Sequence, residues 1–272
     1  MKYIIYILLF FPIWVTAQTY KYIGIEEGLS NRRIFSIQKD AEGYMWFLTN
    51  EGMDRYNGKD IKHYRLNKDD NSLESPIHLG WIYTNPHIGT WVIGKQGRVF
   101  QYERKYDDFK LVYKLPNSLE TISYGYMDRN NNIWLCRKHS ILLYNTENAQ
   151  ILQFTNILHS NITAIEQVDD HHFFISTETG VRYLKLENGT LKIIPTETLD
   201  YFHVQVNELY CHQASKRLLI GSFERGLFVY DMNNREIIKP EVDLSDVSIT
   251  CMAPLDESQL LISTEGMGVY KI

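Results

Sequence analysis

The sequence predicts an all-β fold, a β-propeller of about six four-stranded blades. Three observations predict it. A short segment recurs six times: an aromatic or apolar anchor, an apolar stretch, a polar loop, a glycine or small residue, and a closing aromatic strand. The anchors fall at Trp46, Trp91, Trp134, Phe174, Leu218 and Leu260, so successive spacings are 45, 43, 40, 44 and 42 residues. No segment sustains a 3.6-residue apolar period, so helices are expected to be scarce.

Each unit reads as four strands. An apolar segment precedes each anchor: Ile34–Ile37, Leu79–Tyr83, Ile122–Tyr126, Ile162–Ile165, Val206–Tyr210 and Val247–Cys251. A turn separates the two, shown best by Asp40-Ala41-Glu42-Gly43 and Asp128-Arg129-Asn130-Asn131. Asp opens such turns through its side chain, and Gly or Asn tolerates the positive φ at the far end. After the closing aromatic comes a fourth strand, such as Ile61–Tyr64 or Ile151–Phe154. Four short strands repeated every 40 to 45 residues are a propeller blade. A blade cannot bury both faces alone, so the anchor side chain is expected to fill the layer against the next blade.

The ends carry further readings. Lys2, the apolar run Tyr3–Val15 and the small residues before Gln18 read as a secretory signal covering residues 1–17. The run is short for a membrane anchor, and no Cys near the cleavage point suggests lipidation. Residues 18–272 are then the propeller, placed in the periplasm or otherwise outside the cytoplasm, with no segment apolar enough for membrane insertion. Tyr20–Ile23 resembles an outer strand, whereas Gly268–Ile272 reads as a third strand. Two arrangements fit: the first strand completes the sixth blade and closes the ring, or the chain is the front part of a larger, seven-bladed ring.

Composition narrows the function classes. The net charge of −5 argues against a nucleic-acid partner. Aromatics make up 13% of the residues, which suits strands. The three cysteines, Cys136, Cys211 and Cys251, cannot all pair, and no CxxC suggests zinc or redox chemistry. A disulfide between Cys211 and Cys251 is left open. His171-His172 sits in a turn and reads as structural rather than metal-binding. Asp69-Asp70-Asn71 lacks the spacing of a calcium loop. The recurring tryptophans are explained by packing, so no cofactor is expected.

One stretch carries a resemblance. Glu27-Gly28-Leu29-Ser30-Asn31, followed by Asp40, Gly43, Trp46, Thr49, Gly52 and Tyr56, is similar to the two-component regulator propeller repeat. The likeness is strong in the first unit and loose in the last three. It implies an N-terminal periplasmic sensor region of a Bacteroidetes hybrid histidine kinase, detecting oligosaccharides. Such sensors carry tandem seven-bladed propellers, an Ig-like domain, a membrane helix, a kinase and a DNA-binding regulator. This chain shows six blades, no membrane helix and no kinase motif. The resemblance therefore implies a sensing module working with downstream sensor-kinase domains or a second propeller.

In a propeller, the loops between blades and the loops joining strands two and three share one face, and loops on a rigid scaffold carry function. Candidate ligand-binding residues there are Arg33, Asn50, Glu51, Lys95, Arg137, Lys138 and Arg225, and the cations among them match an acidic sugar. Trp81, Tyr83, Tyr124 and Tyr126 on inner strands would stack on a pyranose or, alternatively, fill the channel. No catalytic residues are assigned. Two other functions compete with the sensor. A propeller glycosidase or lyase would use paired carboxyls, with Glu51, Glu178 and Glu265 in equivalent loops. A structural platform would bind a protein partner instead.

Overall fold

A computed structural model describes residues 21–64, 79–116, 121–240, 242–256 and 258–272. The signal reading at 1–17 and the Asp69-Asp70-Asn71 cluster lie outside the described residues.

The chain forms six antiparallel sheets in sequence order, the blades of a six-bladed propeller. Blade one holds β1 (Ile34–Lys39), β2 (Met45–Thr49), β3 (Gly52–Tyr56) and β4 (Ile61–Tyr64). Blade two holds β5 (Leu79–Asn85), β6 (Gly89–Gly94), β7 (Arg98–Glu103) and β8 (Asp108–Lys114). Blade three holds β9 (Tyr124–Met127), β10 (Asn132–Cys136), β11 (Ser140–Asn145) and β12 (Ile151–Thr155). Blade four holds β13 (Ile162–Gln167), β14 (His172–Thr177), β15 (Gly180–Glu187) and β16 (Thr190–Ile194). Blade five holds β17 (Val206–His212), β18 (Arg217–Ser222), β19 (Leu227–Asp231) and β20 (Glu236–Ile238). Blade six has three strands, β21 (Ile249–Pro254), β22 (Leu260–Thr264) and β23 (Gly268–Lys271). One helical turn, Glu197–Asp200, joins blades four and five.

Side chains alternate across each strand, and the second strand of a blade therefore feeds two layers. Trp46 and Leu48 pack on Ile82, Val92 and Phe100 of blade two. Trp91 and Ile93 meet Ile133 and Leu135 of blade three. Trp134 and Cys136 meet Phe173 and Ile175 of blade four. Phe174 meets Leu218 and Ile220 of blade five, and Leu219 meets Leu260 and Ile262 of blade six. The position that Trp46 holds is thus filled by Leu219 and Leu261 in the last two blades, not by Leu218 and Leu260. Five apolar layers join consecutive blades, and among the described residues no such layer joins blade six to blade one.

Residues 21–23 form no strand. Lys21 instead bonds the Tyr56 hydroxyl and the Gly58 carbonyl of blade one. Among the described residues, this segment adds no fourth strand to blade six, which was one of the two arrangements left open. The open sides of the end blades carry Ile37, 49% exposed, and Val269, 66% exposed.

Two repeat glycines are required by close approach. Gly180 and Gly226 have φ of 136° and 76°, and a Cβ there would lie 2.1 Å from Phe202 O and 1.8 Å from Leu244 O. The crossover to the next blade lies directly on the turn between strands two and three, so only glycine fits.

All three cysteines are free; Cys136 and Cys211 are buried and Cys251 is exposed. Cys211 lies in the layer between blades four and five. Cys251 pairs with Ser263 on the open side of blade six, so the two do not meet.

Candidate functional site

The two loop sets do meet. The N–H of Glu178 donates to Asn161 O at 3.3 Å, Phe223 to Gln205 O at 3.0 Å and Glu265 to Ser248 O at 2.9 Å. Each bond ties a loop between strands two and three to the segment entering the inner strand of the same blade. Both sets therefore sit at the N-terminal ends of the inner strands.

A cleft of about 460 Å³ opens there across blades three, four and five. Its lining is Thr121 and Ser123, then Asn161, Ile162, Thr163 and Glu178, and finally Asn207. Three hydroxyls, two amides and one carboxyl face it, and no lysine or arginine lines it. Several of these groups are held in place. Asn161 Nδ2 donates to Glu178 Oε1 at 3.0 Å. Thr163 Oγ1 lies 2.8 Å from Ser176 Oγ. Ser123 Oγ donates to Cys136 O at 3.2 Å, and Asn207 Nδ2 to Ile249 O at 3.0 Å. Hydroxyls and amides both donate and accept, so this surface suits a polyhydroxyl ligand.

The residues singled out in the sequence fall in several places. Arg33, Asn50, Glu51, Lys95, Lys138 and Arg225 are exposed on the loops, and Arg137 is half-buried. The Arg33 guanidinium lies 5.0 Å from the centre of the Phe35 ring. Lys95 O accepts from Ile122 N, so its loop touches blade three. None of these seven lines the cleft. Trp81 packs edge-on against Tyr124, and Tyr83 against Tyr126, with ring centres 5.7 and 6.2 Å apart. Tyr83 also donates to Gly125 O at 2.7 Å. These four rings join the inner strands of blades two and three, and burial pushes the phenols of Tyr83, Tyr124 and Tyr126 upward in pKa.

Beyond them stand two inner-strand acids, Glu166 and Glu208. Burial raises Glu166 to about 7, opposed by the Cys211 N–H that it accepts at 3.1 Å and by Arg129. Burial raises Glu208 to about 7 as well, helped by repulsion from Glu166. Sequence reasoning passed over both, because single acids inside apolar strands look like solvent-facing residues. The cleft residues Thr121, Ser123, Asn161, Thr163 and Asn207 were missed for a different reason: small polar residues at strand starts are common, and only Glu178 stood out by its charge.

The His171-His172 pair is accounted for. His172 Nδ1 bonds Asp169 at 2.8 Å and its ring stacks on Tyr183, while His171 Nδ1 faces Leu186 O. Among the described residues, no group of three or more His, Cys, Asp or Glu is arranged to hold a metal.

In the first blade the motif residues are bonded to one another. Ser30 N and Oγ both donate to Asp54 Oδ2 at 2.8 Å, and Ser30 Oγ also meets Thr49 Oγ1. Asp40 takes the Trp46 indole N–H at 2.8 Å. The loop, the turn and the anchor are thus one bonded unit. Residues 28–51 match the two component regulator propeller. No curated protein matches the chain. Among solved structures, the propeller is similar to the extracellular domain of the hybrid two component system BT3049 of B. thetaiotaomicron (TM-score 0.73, 21% identity, 93% of this chain and 35% of that one). It is also similar to the extracellular domain of BT4673 of the same organism (TM-score 0.67, 18% identity, 92% and 32%). Virginiamycin B lyase of Staphylococcus aureus is a third (TM-score 0.59, 14% identity, 87% and 82%). The chain spans about a third of the length of the two Bacteroides domains. At these identities the likeness establishes the fold, and an enzyme stands beside two signalling domains. Among the described residues, no helix is long and apolar enough to cross a membrane.

Proposed function

We propose that this chain is the ligand-recognising propeller of an extracytoplasmic sensor in a two-component signalling system, and that its ligand is an oligosaccharide. The observation that carries this reading is the cleft across blades three to five, lined by hydroxyls, amides and one carboxyl. The match of residues 28–51 to a regulator propeller supports it, as does the likeness to extracellular domains of two component systems. On this reading the signal segment exports the chain, and the bound state is passed to downstream kinase domains. The test is a thermal melt of the purified protein with panels of neutral and acidic oligosaccharides. A ligand that prefers the native state raises the midpoint. A midpoint unmoved by every sugar rejects the reading.

The glycosidase alternative takes no support from the cleft. It brings one carboxyl, Glu178, whereas glycoside hydrolysis commonly uses two flanking the bond. The platform alternative has a specific observation in its favour, the exposed apolar side chains on the open sides of blades one and six. It predicts a protein partner that competes with self-association there.

A further inference from the structure

The inner strands share an irregularity. In β1 the register against β2 slips between Ile34 and Ser36, leaving Phe35 as an extra residue. The same slip leaves Gly80 in β5, Thr163 in β13, Asn207 in β17 and Thr250 in β21. In blade three, Tyr124 pairs with Cys136 while Ser123 N also donates to Cys136 O, so two residues again oppose one. A β-bulge of this kind bends the strand and re-aims one side chain. The consequence is visible in burial. Ile162 and Ala164 are 1% exposed, yet Thr163 between them is half-exposed. Val206 and Ile249 are fully buried, whereas Asn207 and Thr250 reach solvent.

Three of the six bulge residues, Ser123, Thr163 and Asn207, line this same cleft. Each has one bond to its own or a neighbouring blade and keeps capacity for another. Ser123 spends its proton on Cys136 O and keeps its lone pairs; Asn207 spends an amide proton on Ile249 O and keeps its carbonyl oxygen. Thr163 shares its bond with Ser176, where either oxygen donates. Such pre-positioned groups bind a ligand hydroxyl with little ordering cost. The charge of the cleft points the same way. Glu178 is its one ionisable lining residue, so a carboxylate or sulfate placed there meets repulsion with no cation to offset it.

We infer that the bulge position is the register at which this propeller reads its ligand, and that Ser123, Thr163 and Asn207 select a neutral sugar over an acidic one. The inference rests on the proposed sensor function and deepens it. Blades one and two show why the cleft does not extend to them. At blade two the bulge residue is Gly80, and a Cβ there would meet Lys95 Cγ at 3.3 Å, so the Lys95 stem occupies that space. At blade one it is Phe35, 49% exposed beside the Arg33 guanidinium, an apolar ring that offers no hydroxyl or amide.

The test is calorimetric titration of the purified protein with oligosaccharides from neutral glucan, mannan, fructan and xylan, and with oligogalacturonates. A neutral oligosaccharide should bind and oligogalacturonates should not. Ser123→Ala, Thr163→Val and Asn207→Ala should each weaken binding about tenfold or more, as loss of a group that pairs a ligand hydroxyl does. Thr163→Ser should restore it, Thr250→Val should leave it unchanged, and Glu178→Gln should raise affinity for oligogalacturonate. Thermal midpoints of the variants, compared in parallel, report folding separately. If the unaltered protein binds a sugar and the three variants bind it equally well, or if oligogalacturonate binds as tightly as the neutral sugars, the bulge assignment is overturned while the sensor reading stands. If no sugar binds the unaltered protein, both are overturned.

Discussion

Asp128 accepts the indole N–H of Trp134 at 2.8 Å, from a turn six residues upstream. The same carboxyl takes the N–H groups of Asn130 and Asn132, closing the first hairpin of blade three. Asp40 and Trp46 repeat the arrangement in blade one. Blade two has Asn85 instead, and Trp91 turns its N–H to Ile88 O. Asp128→Ala would strand a buried indole donor and two backbone donors, so it should lower stability by about 2–4 kcal/mol. Asn85→Ala should cost less, because Trp91 does not depend on it. Urea denaturation of the two variants checks the order.

Glu166 and Glu208 set a pH dependence. Both are raised to about 7 in the folded protein, by burial first and for Glu208 by repulsion from Glu166. Ordinary glutamates in the unfolded chain titrate near pH 4.3. Between those values the folded state holds more protons, so this pair lowers stability as pH rises from about 4.5 to 7. Glu208→Gln should flatten that part of the stability profile and raise the midpoint at pH 8. A variant whose profile parallels that of the unaltered protein would contradict this.

Asp107 staples blade two to blade one. It accepts from Tyr64 Oη at 2.7 Å, Lys62 Nζ at 2.6 Å and Tyr102 Oη, and pairs with Arg55 at 2.9 Å. Burial alone would raise its pKa, but bonds from Lys62, Tyr102 and Tyr64 and the Arg55 charge hold it well below the usual carboxylate range. A depressed carboxylate stabilises above its unfolded pKa and loses that contribution as pH falls through the folded one. Asp107→Asn should therefore destabilise at pH 7 and make little difference at strongly acidic pH. Melting at several pH values checks it.

The end blades expose apolar surface, Ile37 on one and Val269 on the other. The edge strand β23 has no fourth strand beside it among the described residues. Unpaired edges and apolar faces recruit other chains. The protein should self-associate with rising concentration, and Ile37→Lys combined with Val269→Lys should suppress this in sedimentation velocity runs.

The blade count and the hairpin turns were legible because they are carried by residues with few substitutes, Asp40 and Asp128 at turns and Trp46, Trp91 and Trp134 at anchors. The register of the last two blades was not. Leu218, Leu219 and Ile220 are apolar on both faces, since a blade packs on two neighbours, and no tryptophan marks which face is which. The face bearing the cleft was legible from the loop pattern. Its residues were not, because a bulge shifts register without changing composition: Thr163 and Asn207 read as ordinary strand positions until their pairing is seen.

Ligand binding at the cleft is open to a direct test by hydrogen exchange. The purified protein would be exchanged with and without a neutral oligosaccharide library at saturating concentration. Protection confined to residues 121–123, 161–163, 178–179 and 207 is the predicted result. Protection elsewhere, on the outer strands or the opposite face, or none at all, would contradict it.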